Sequence, residues 1–468
     1  MKRIIYIFSL LLAMAALLLA SGCAEHPGAP ASVAEEQQVL AISWAVDGRE
    51  VSSPAINNAD QPVTIVASFD RLISLNTAII EVAGSGIEGL EIYAPSGNSK
   101  KLVYKQDYVE KTAFCTFPAL FTNKIVIEIA TVSGRYSVKD ITFRNQRVQD
   151  AGSFRTTAYI VADTLQKIDD MDEGHLANIT DIILFGMATF NKNGDIKIDP
   201  RLDNSLDLIK QAQARLNRNY TVYVNFLFEA DRPYDSDWNR MVRELAVDVA
   251  MAKKGNRVKL ADNMIGYVKD KGFDGLAFDW EYPVSYRDFN VYGNFILCLK
   301  EKKPDLKVAV ALAPWGIKFN KKHIDAIDVI ELMCYDLPDS RGHHSSFYTQ
   351  CIGAIEYMKK KNIPLSKVDL GIPFYARPDD MAELWTLYKD ESEKLGRYSD
   401  RAVGSFGGTE KDRFYNCYQT AYNKTSYSLD QGLGGVMVWH YACDNASDTD
   451  LSLFKAISSA IRDRYPHR

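Results

Sequence analysis

The chain has 468 residues, enough to bury two hydrophobic cores rather than one. Its 55 Lys and Arg against 60 Asp and Glu leave a net charge of -5, which gives no sign of a nucleic-acid surface. A hydrophobic share of 47% and an aromatic share of 11% describe a globular protein with disorder confined to linkers.

The opening stretch MKRIIYIFSLLLAMAALLLASGC sets Lys2 and Arg3 before a short apolar core that ends in Ala20, Ser21 and Gly22 ahead of Cys23. A short core closing on small residues is the grammar of an export signal rather than of a spanning helix. LASGC resembles a bacterial lipobox, with Ala20 where that pattern has Leu. The resemblance implies cleavage before Cys23 and a lipid on the new N-terminus. It implies an exported lipoprotein, anchored to a membrane at the cell surface or in the periplasm. Residues 24–39, rich in Ala, Pro and Glu, read as a tether. The cysteines beyond Cys23 are scattered, with no CxxC pair and no His at ligand spacing. No zinc site is expected, and buried free thiols are the default.

Over residues 40–148 the pattern becomes short β-type runs such as VTIVASF, AIIEVAG, LEIYAP and KIVIEIATV, separated by turn material such as SGNS. With no helical period, an antiparallel β-sandwich is expected there. Its end, NKIVIEIATVSGRYSVKDITFR, resembles the closing strands of discoidin-like (galactose-binding-like) modules, which implies carbohydrate binding as a candidate role. Trp44 is expected in the core.

From residue 152 to 468 eight apolar runs alternate with helical stretches: TTAYIVA, DIILFGM, YTVYVNFLF, FDGLAFDWE, KVAVALA, DVIELMCY, KVDLGIPF and GGVMVWH. Eight strand and helix units in about 310 residues predict an α/β fold of the (β/α)8 TIM-barrel type, whose chemistry sits at the C-terminal strand ends. The fourth run ends in Asp279 and Glu281. At i and i+2 on a strand these acids share one face with Ala277, while Asp274, Trp280 and Tyr282 take the opposite parity. Asp274 is expected to bond at the strand's start, and Trp280 and Tyr282 to pack outward against helices.

Two neighbouring carboxylates on one face repel each other, and folding gains little from them. Glycosidic cleavage does need such acids. One must arrive protonated to donate to the leaving oxygen, and something else must stabilise a positive anomeric carbon. Acids on the same side of the bond leave the second badly placed as a nucleophile. A 2-acetamido group on the sugar could attack instead.

The segment DGLAFDWE resembles the DGxDxDxE signature of glycoside hydrolase family 18. LMCYD is similar to that family's MxYD, GIPFYAR to its GIPFYGR, and GGVMVWHYACD to its GGxMxW closing strand, so the resemblance spans roughly residues 154–468. It implies a chitinase-like retaining hydrolase in which Glu281 is general acid and then base. Asp279 orients the acetamido N–H, Tyr335 donates to the acetamido oxygen and Asp336 helps hold that group. Trp439 forms the floor under the sugar, Met333 lines the same pocket, and Tyr159 and Arg377 complete the set. Glu331, Met333 and Tyr335 share a strand face by alternation alone. The mechanism needs no metal or organic cofactor, because the acid and the acetamido group supply both roles. The implied partner is a glycan containing N-acetylglucosamine, with no nucleic acid, and the protein is expected to be a monomer.

Departures from the pattern set further expectations. Ala277 replaces the middle Asp of the signature, and without that like charge Asp279 should ionise more readily. Some endo-β-N-acetylglucosaminidases of the family lack the same Asp, which keeps N-glycans as an alternative substrate. A non-catalytic sugar-binding barrel is the other alternative. YVNFLFEADRP lacks the family's SxGG. The connection from Pro378 to Leu433 reads as too short and too helical for the family's α+β insertion. His343 and His344 are expected to serve a loop rather than a metal, and Trp315 either contacts substrate or caps the fifth strand.

Overall fold

A computed structural model of the chain describes residues 32–34, 41–131, 134–148, 154–228, 249–381, 385–406 and 409–465. The stretch expected to be an export signal, with Cys23, and most of the expected tether lie outside the described residues. Within the expected tether the structure differs: Ser32–Ala34 form a short strand that pairs antiparallel with Gln146–Val148. Among the described residues no helix is long and apolar enough to cross a membrane.

The N-terminal part is an eight-stranded, all-antiparallel β unit. Two of the short runs expected from sequence are parts of one strand, Val63–Gly84, because the intervening DRLISLNT stays extended. It pairs along most of its length with Thr112–Thr131, the register slipping between Ser68 and Ile73 and again between Leu75 and Thr77. Alternation then decides burial: Val63, Ile65, Ala67 and Phe69 point into one core that also holds Leu90, Ile92, Ile125 and Ile127. Trp44 packs at the edge of this core, stacked on Phe143 at 6.1 Å, as expected.

The remainder is a closed barrel of eight parallel strands: Arg155–Val161, Asp181–Phe190, Thr221–Phe228, Gly275–Asp279, Lys307–Leu312, Val329–Leu332, Val368–Pro373 and Gly435–Trp439. The first strand pairs with both the second and the eighth, which closes the ring. Inward residues fill the interior, where Tyr159 and Tyr223 are offset by Ala277, Ala309 and Ala311. Lower in the barrel, Arg155 reaches the fully buried Asp369, its Nη2 2.6 Å from Oδ1, with Glu331 and Asp181 buried nearby. Asp274 sits at the strand start as expected, accepting from Val222 N at 2.8 Å.

The chain's turn after the fourth strand is fixed by the next helix, Tyr286–Lys302. Ser285 Oγ accepts from Asp288 N and Asp288 Oδ2 accepts from Ser285 N, a reciprocal cap at Ser285, four residues beyond Glu281, that starts the helix.

The connection after the seventh strand differs from expectation. A small antiparallel sheet forms from Tyr375–Pro378, Thr386–Leu387, Arg401–Phe406 and Thr409–Phe414, with the helix Tyr388–Leu395 between. Its strands are short and charged, as in TEKDRF, so no apolar run announced them. This sheet sets Arg377 and Trp385 beside the barrel mouth.

The β unit and the barrel share buried contacts. Phe114 belongs to the barrel's core and meets Tyr427 edge-on at 4.7 Å. Asn423 Oδ1 accepts from both N and Oγ1 of Thr116, and the fully buried Arg464 bonds Asp430 and Thr77.

Candidate active site

The fourth strand ends at Asp279, so Glu281 stands on the first turn beyond it. Asp279 is surrounded by protein, and its Oδ1 is buried with no hydrogen-bond partner among the described residues. Burial, and then the charge of Glu281, push its carboxyl well above the usual range. That rise comes from burial and from Glu281, and Ala277 adds no like charge to it. Glu281 opens to solvent, yet enclosing protein raises its pKa. The Tyr282 hydroxyl, bonded to it, opposes the rise and the charge of Asp336 adds to it.

The sixth strand ends at Leu332, and Met333 to Asp336 continue from it into the mouth. Met333 lines the interior with Tyr159, and Tyr335 packs against the same cluster. Tyr335 can come this close because residue 371 on the seventh strand is Gly. A Cβ there would meet Tyr335 Cε1 at 2.9 Å and Leu332 O at 2.5 Å. Burial first, and then the acids Asp279, Glu281 and Asp336, keep the Tyr335 hydroxyl protonated as a donor.

Asp336 takes a left-handed backbone, φ 61°, a conformation Asp tolerates better than most residues. Its carboxylate sits in a cradle. His344 Nδ1 lies 3.0 Å and the Tyr375 hydroxyl 2.8 Å from Oδ1, and Arg377 Nη1 lies 3.2 Å from Oδ2. Burial alone would raise Asp336, but His344, Arg377 and Tyr375 hold it below the usual carboxylate range. Burial also drives His344 toward neutral imidazole. His344 therefore serves as an N–H donor from Nδ1, and Arg377 supplies the positive charge.

Aromatic rings form the floor and one wall. Trp439 is half-buried, with Phe185 at 4.9 Å and Tyr159 at 5.2 Å. Trp385, 44% exposed, stacks flat on Tyr375 at 4.1 Å, and the Arg377 guanidinium lies 5.7 Å from its ring. Trp315 is 43% exposed and meets Tyr282 at 5.2 Å.

The sequence-predicted residues Asp279, Glu281, Tyr335, Asp336, Met333, Tyr159, Trp439 and Arg377 thus converge on one mouth. Trp280 packs outward on Tyr292 as expected, but Tyr282 does not face outward: alternation lapses where the strand ends, and Tyr282 turns inward beside Glu281. Sequence reasoning gave His344 a loop role but no place in the site, and it missed Trp385 and also Asn225, a fully buried third-strand residue whose Nδ2 donates to Ala277 O at 3.3 Å. His344 lies eight residues beyond Asp336 across a loop, so no local spacing joined the two. Among the described residues no three His, Cys, Asp or Glu side chains converge as metal ligands. The described cysteines are free thiols, all buried except Cys298, which is half-exposed.

A model of glycosyl hydrolases family 18 matches residues 155–444, more than half of the chain. Endochitinase 1 of Metarhizium robertsii is 25% identical over 254 residues, 43% of this chain and 59% of that protein. Chitinase 1 of Aphanocladium album is 24% identical over 254 residues with the same coverage, 43% and 59%. The chain therefore spans 59% of the length of these curated relatives. A family 18 chitinase of Flavobacterium johnsoniae shares the fold, with a TM-score of 0.53 at 23% identity over 68% of this chain and 99% of the other. The geometry at the strand ends and the extent of the family match lead to one conclusion: this chain belongs to glycosyl hydrolases family 18.

Proposed function

We propose that the protein hydrolyses β-1,4 linkages beside N-acetylglucosamine in chitin or chitooligosaccharides, with retention and with the substrate's own acetamido group as nucleophile. The observation that carries this reading is the pairing of Asp279 and Glu281 at one strand end, while the third nearby acid, Asp336, is fully engaged by His344, Tyr375 and Arg377. Among the described residues that leaves an acid and an orienting carboxylate, but no free carboxylate for attack. Relatives named chitinases, and a solved class V chitinase mutant of Nicotiana tobaccum in complex with NAG4, support the same substrate class.

In this mechanism Glu281 gives its proton to the glycosidic oxygen as the bond to the anomeric carbon breaks. The acetamido carbonyl oxygen bonds to that carbon and forms an oxazolinium ion. Asp279, as carboxylate, accepts from the acetamido N–H, and Tyr335 donates to the acetamido oxygen. Trp439 supports the distorted ring, with Met333 and Tyr159 beside it, while Arg377 keeps Asp336 ionised. Water then opens the intermediate, its proton taken by Glu281, and the configuration is retained.

The test is incubation with N-acetyl-chitotetraose, products read by mass spectrometry, with Glu281→Gln alongside. Shortened oligomers from wild type alone support the reading. Uncut oligomer from both removes it in favour of an N-glycan substrate or a binding role.

The proposal extends to address: an exported lipoprotein anchored through Cys23. Metabolic labelling with a fatty acid that persists in Cys23→Ser would sink this part.

A further inference from the structure

The loop that carries Asp336 runs on through Ser346, and its far side rests on the N-terminal β unit. Within the loop, Asp339 Oδ1 accepts from the backbone N of Arg341 and of His343, both at 2.9 Å. His343 to Ser346 are buried, and the buried Lys424 pins Ser345 through its carbonyl at 2.6 Å and its hydroxyl at 2.8 Å. His343 Nδ1 accepts from Ser345 N at 3.1 Å, so its proton sits on Nε2, 3.3 Å from Asp400 Oδ2. His343 stacks on His344 at 6.3 Å, and His344 holds Asp336.

Two side chains of the strand Ser99–Val109 meet this assembly. Asp107 Oδ2 accepts from Ser399 Oγ at 3.0 Å and from Asp400 N at 3.4 Å, which fixes the residue that faces His343. The ring of Tyr108 lies 4.0 Å beneath the Arg341 guanidinium. A cavity of ≈ 30 Å³ lies at the same junction, lined by Asp107 and Tyr108 from the sheet and by Arg341, His343 and Asp400 from the barrel. Asp107 and Tyr108 are half-buried and belong to neither hydrophobic core, so either side chain can be truncated without opening one.

We propose that the N-terminal β unit is a positioning part of the active site: through Asp107 and Tyr108 it sets the Asp339–Ser346 loop, and through His343 and His344 the orientation of Asp336. The inference rests on the hydrolase reading above, and Asp107, Tyr108, Asp400 and His343 are positioning residues that touch no substrate. The unit then acts as a fixed wall of the site rather than as a tethered sugar-binding module.

The experiment uses the full chain with Tyr108→Ala, Asp107→Ala and the conservative Tyr108→Phe. Arg341→Leu removes the same stacking from the barrel side, should a sheet variant fail to fold. Two readouts are taken: kcat and KM on N-acetyl-chitotetraose, and the imidazole N–H resonance of His344 in histidine-labelled protein. The expected result is a kcat about tenfold lower with KM within about twofold, a displaced His344 resonance, and recovery of both in Tyr108→Phe. An unmoved His344 resonance in the folded alanine variants overturns the proposal, whether or not kcat falls. If wild type does not cut the oligomer, the hydrolase reading fails by itself, and the resonance still decides whether the sheet positions the loop.

Discussion

His344 donates from Nδ1 to Oδ1 of Asp336 at 3.0 Å, from a side chain with no solvent exposure, so a neutral imidazole fixes one oxygen of a site carboxylate while Arg377 faces the other. A hydrogen bond to a charged group contributes about 1.5–3 kcal/mol, and without it Oδ1 keeps only the Tyr375 hydroxyl, which holds the carboxylate less firmly in place. His344→Leu should therefore lower kcat/KM by about tenfold to a hundredfold. His344→Gln, whose amide can still donate, should recover part of that. Steady-state kinetics on chitotetraose check both, and equal losses in the two variants would contradict the donor role.

Gly371 controls Tyr335. A methyl group at residue 371 would press on the Tyr335 ring and on Leu332 O, and backbone there cannot yield cheaply. Gly371→Ala should cost about 1–3 kcal/mol in a denaturant melt and lower kcat by more than KM rises. Unchanged stability would mean the strand can shift to make room.

Activity against pH follows from the two raised carboxyls. Glu281 must carry a proton to donate, and burial extends its protonated range upward, with Asp336 adding to the effect against Tyr282. The alkaline limb should lie above the ordinary carboxylate range. Asp279 must be ionised to accept the acetamido N–H, so its raised pKa moves the acid limb upward as well. Asp336→Asn removes a charge that raises Glu281, and the alkaline limb should then move to lower pH. Profiles of kcat/KM in wild type and variant decide this. A limb that stays fixed would detach Asp336 from Glu281.

Trp385 lies outside the acid cluster but stacks on Tyr375, which holds Asp336. An exposed ring pre-set in one plane is a platform for a sugar face. Trp385→Ala should leave the melting temperature unchanged and raise KM for long oligomers about tenfold, with a smaller change for the trimer. Equal effects on all lengths would argue against a platform.

The legible parts of this site were those written into local pattern. Asp279 and Glu281 announced themselves as two acids one residue apart at the end of an apolar run, and Met333 and Tyr335 followed by alternation. Trp439 and Arg377 became visible through resemblance to a family pattern rather than through any property of their neighbours. The barrel itself was legible because eight buried parallel strands read as continuous apolar runs. His344 was not, since its partner lies eight residues back across a loop and its burial shows only in three dimensions. Tyr282 inverted because the strand stops at Asp279, one turn before the alternation rule was applied to it. The small sheet carrying Trp385 was hidden by strands too short and too charged to read, and the grip of Asp107 and Tyr108 on the Asp336 loop joins segments far apart in sequence.

The most direct test of the account is the anomeric form of the product at the instant of cleavage. Proton NMR of N-acetyl-chitotetraose, followed from the first seconds after addition of the full-length protein, reads it before mutarotation. Attack by the acetamido group followed by water predicts β-anomer first, and none of it with Glu281→Gln or from a substrate lacking the acetyl group. An initial α-anomer, or undiminished cleavage of the deacetylated oligomer, would contradict the central claim.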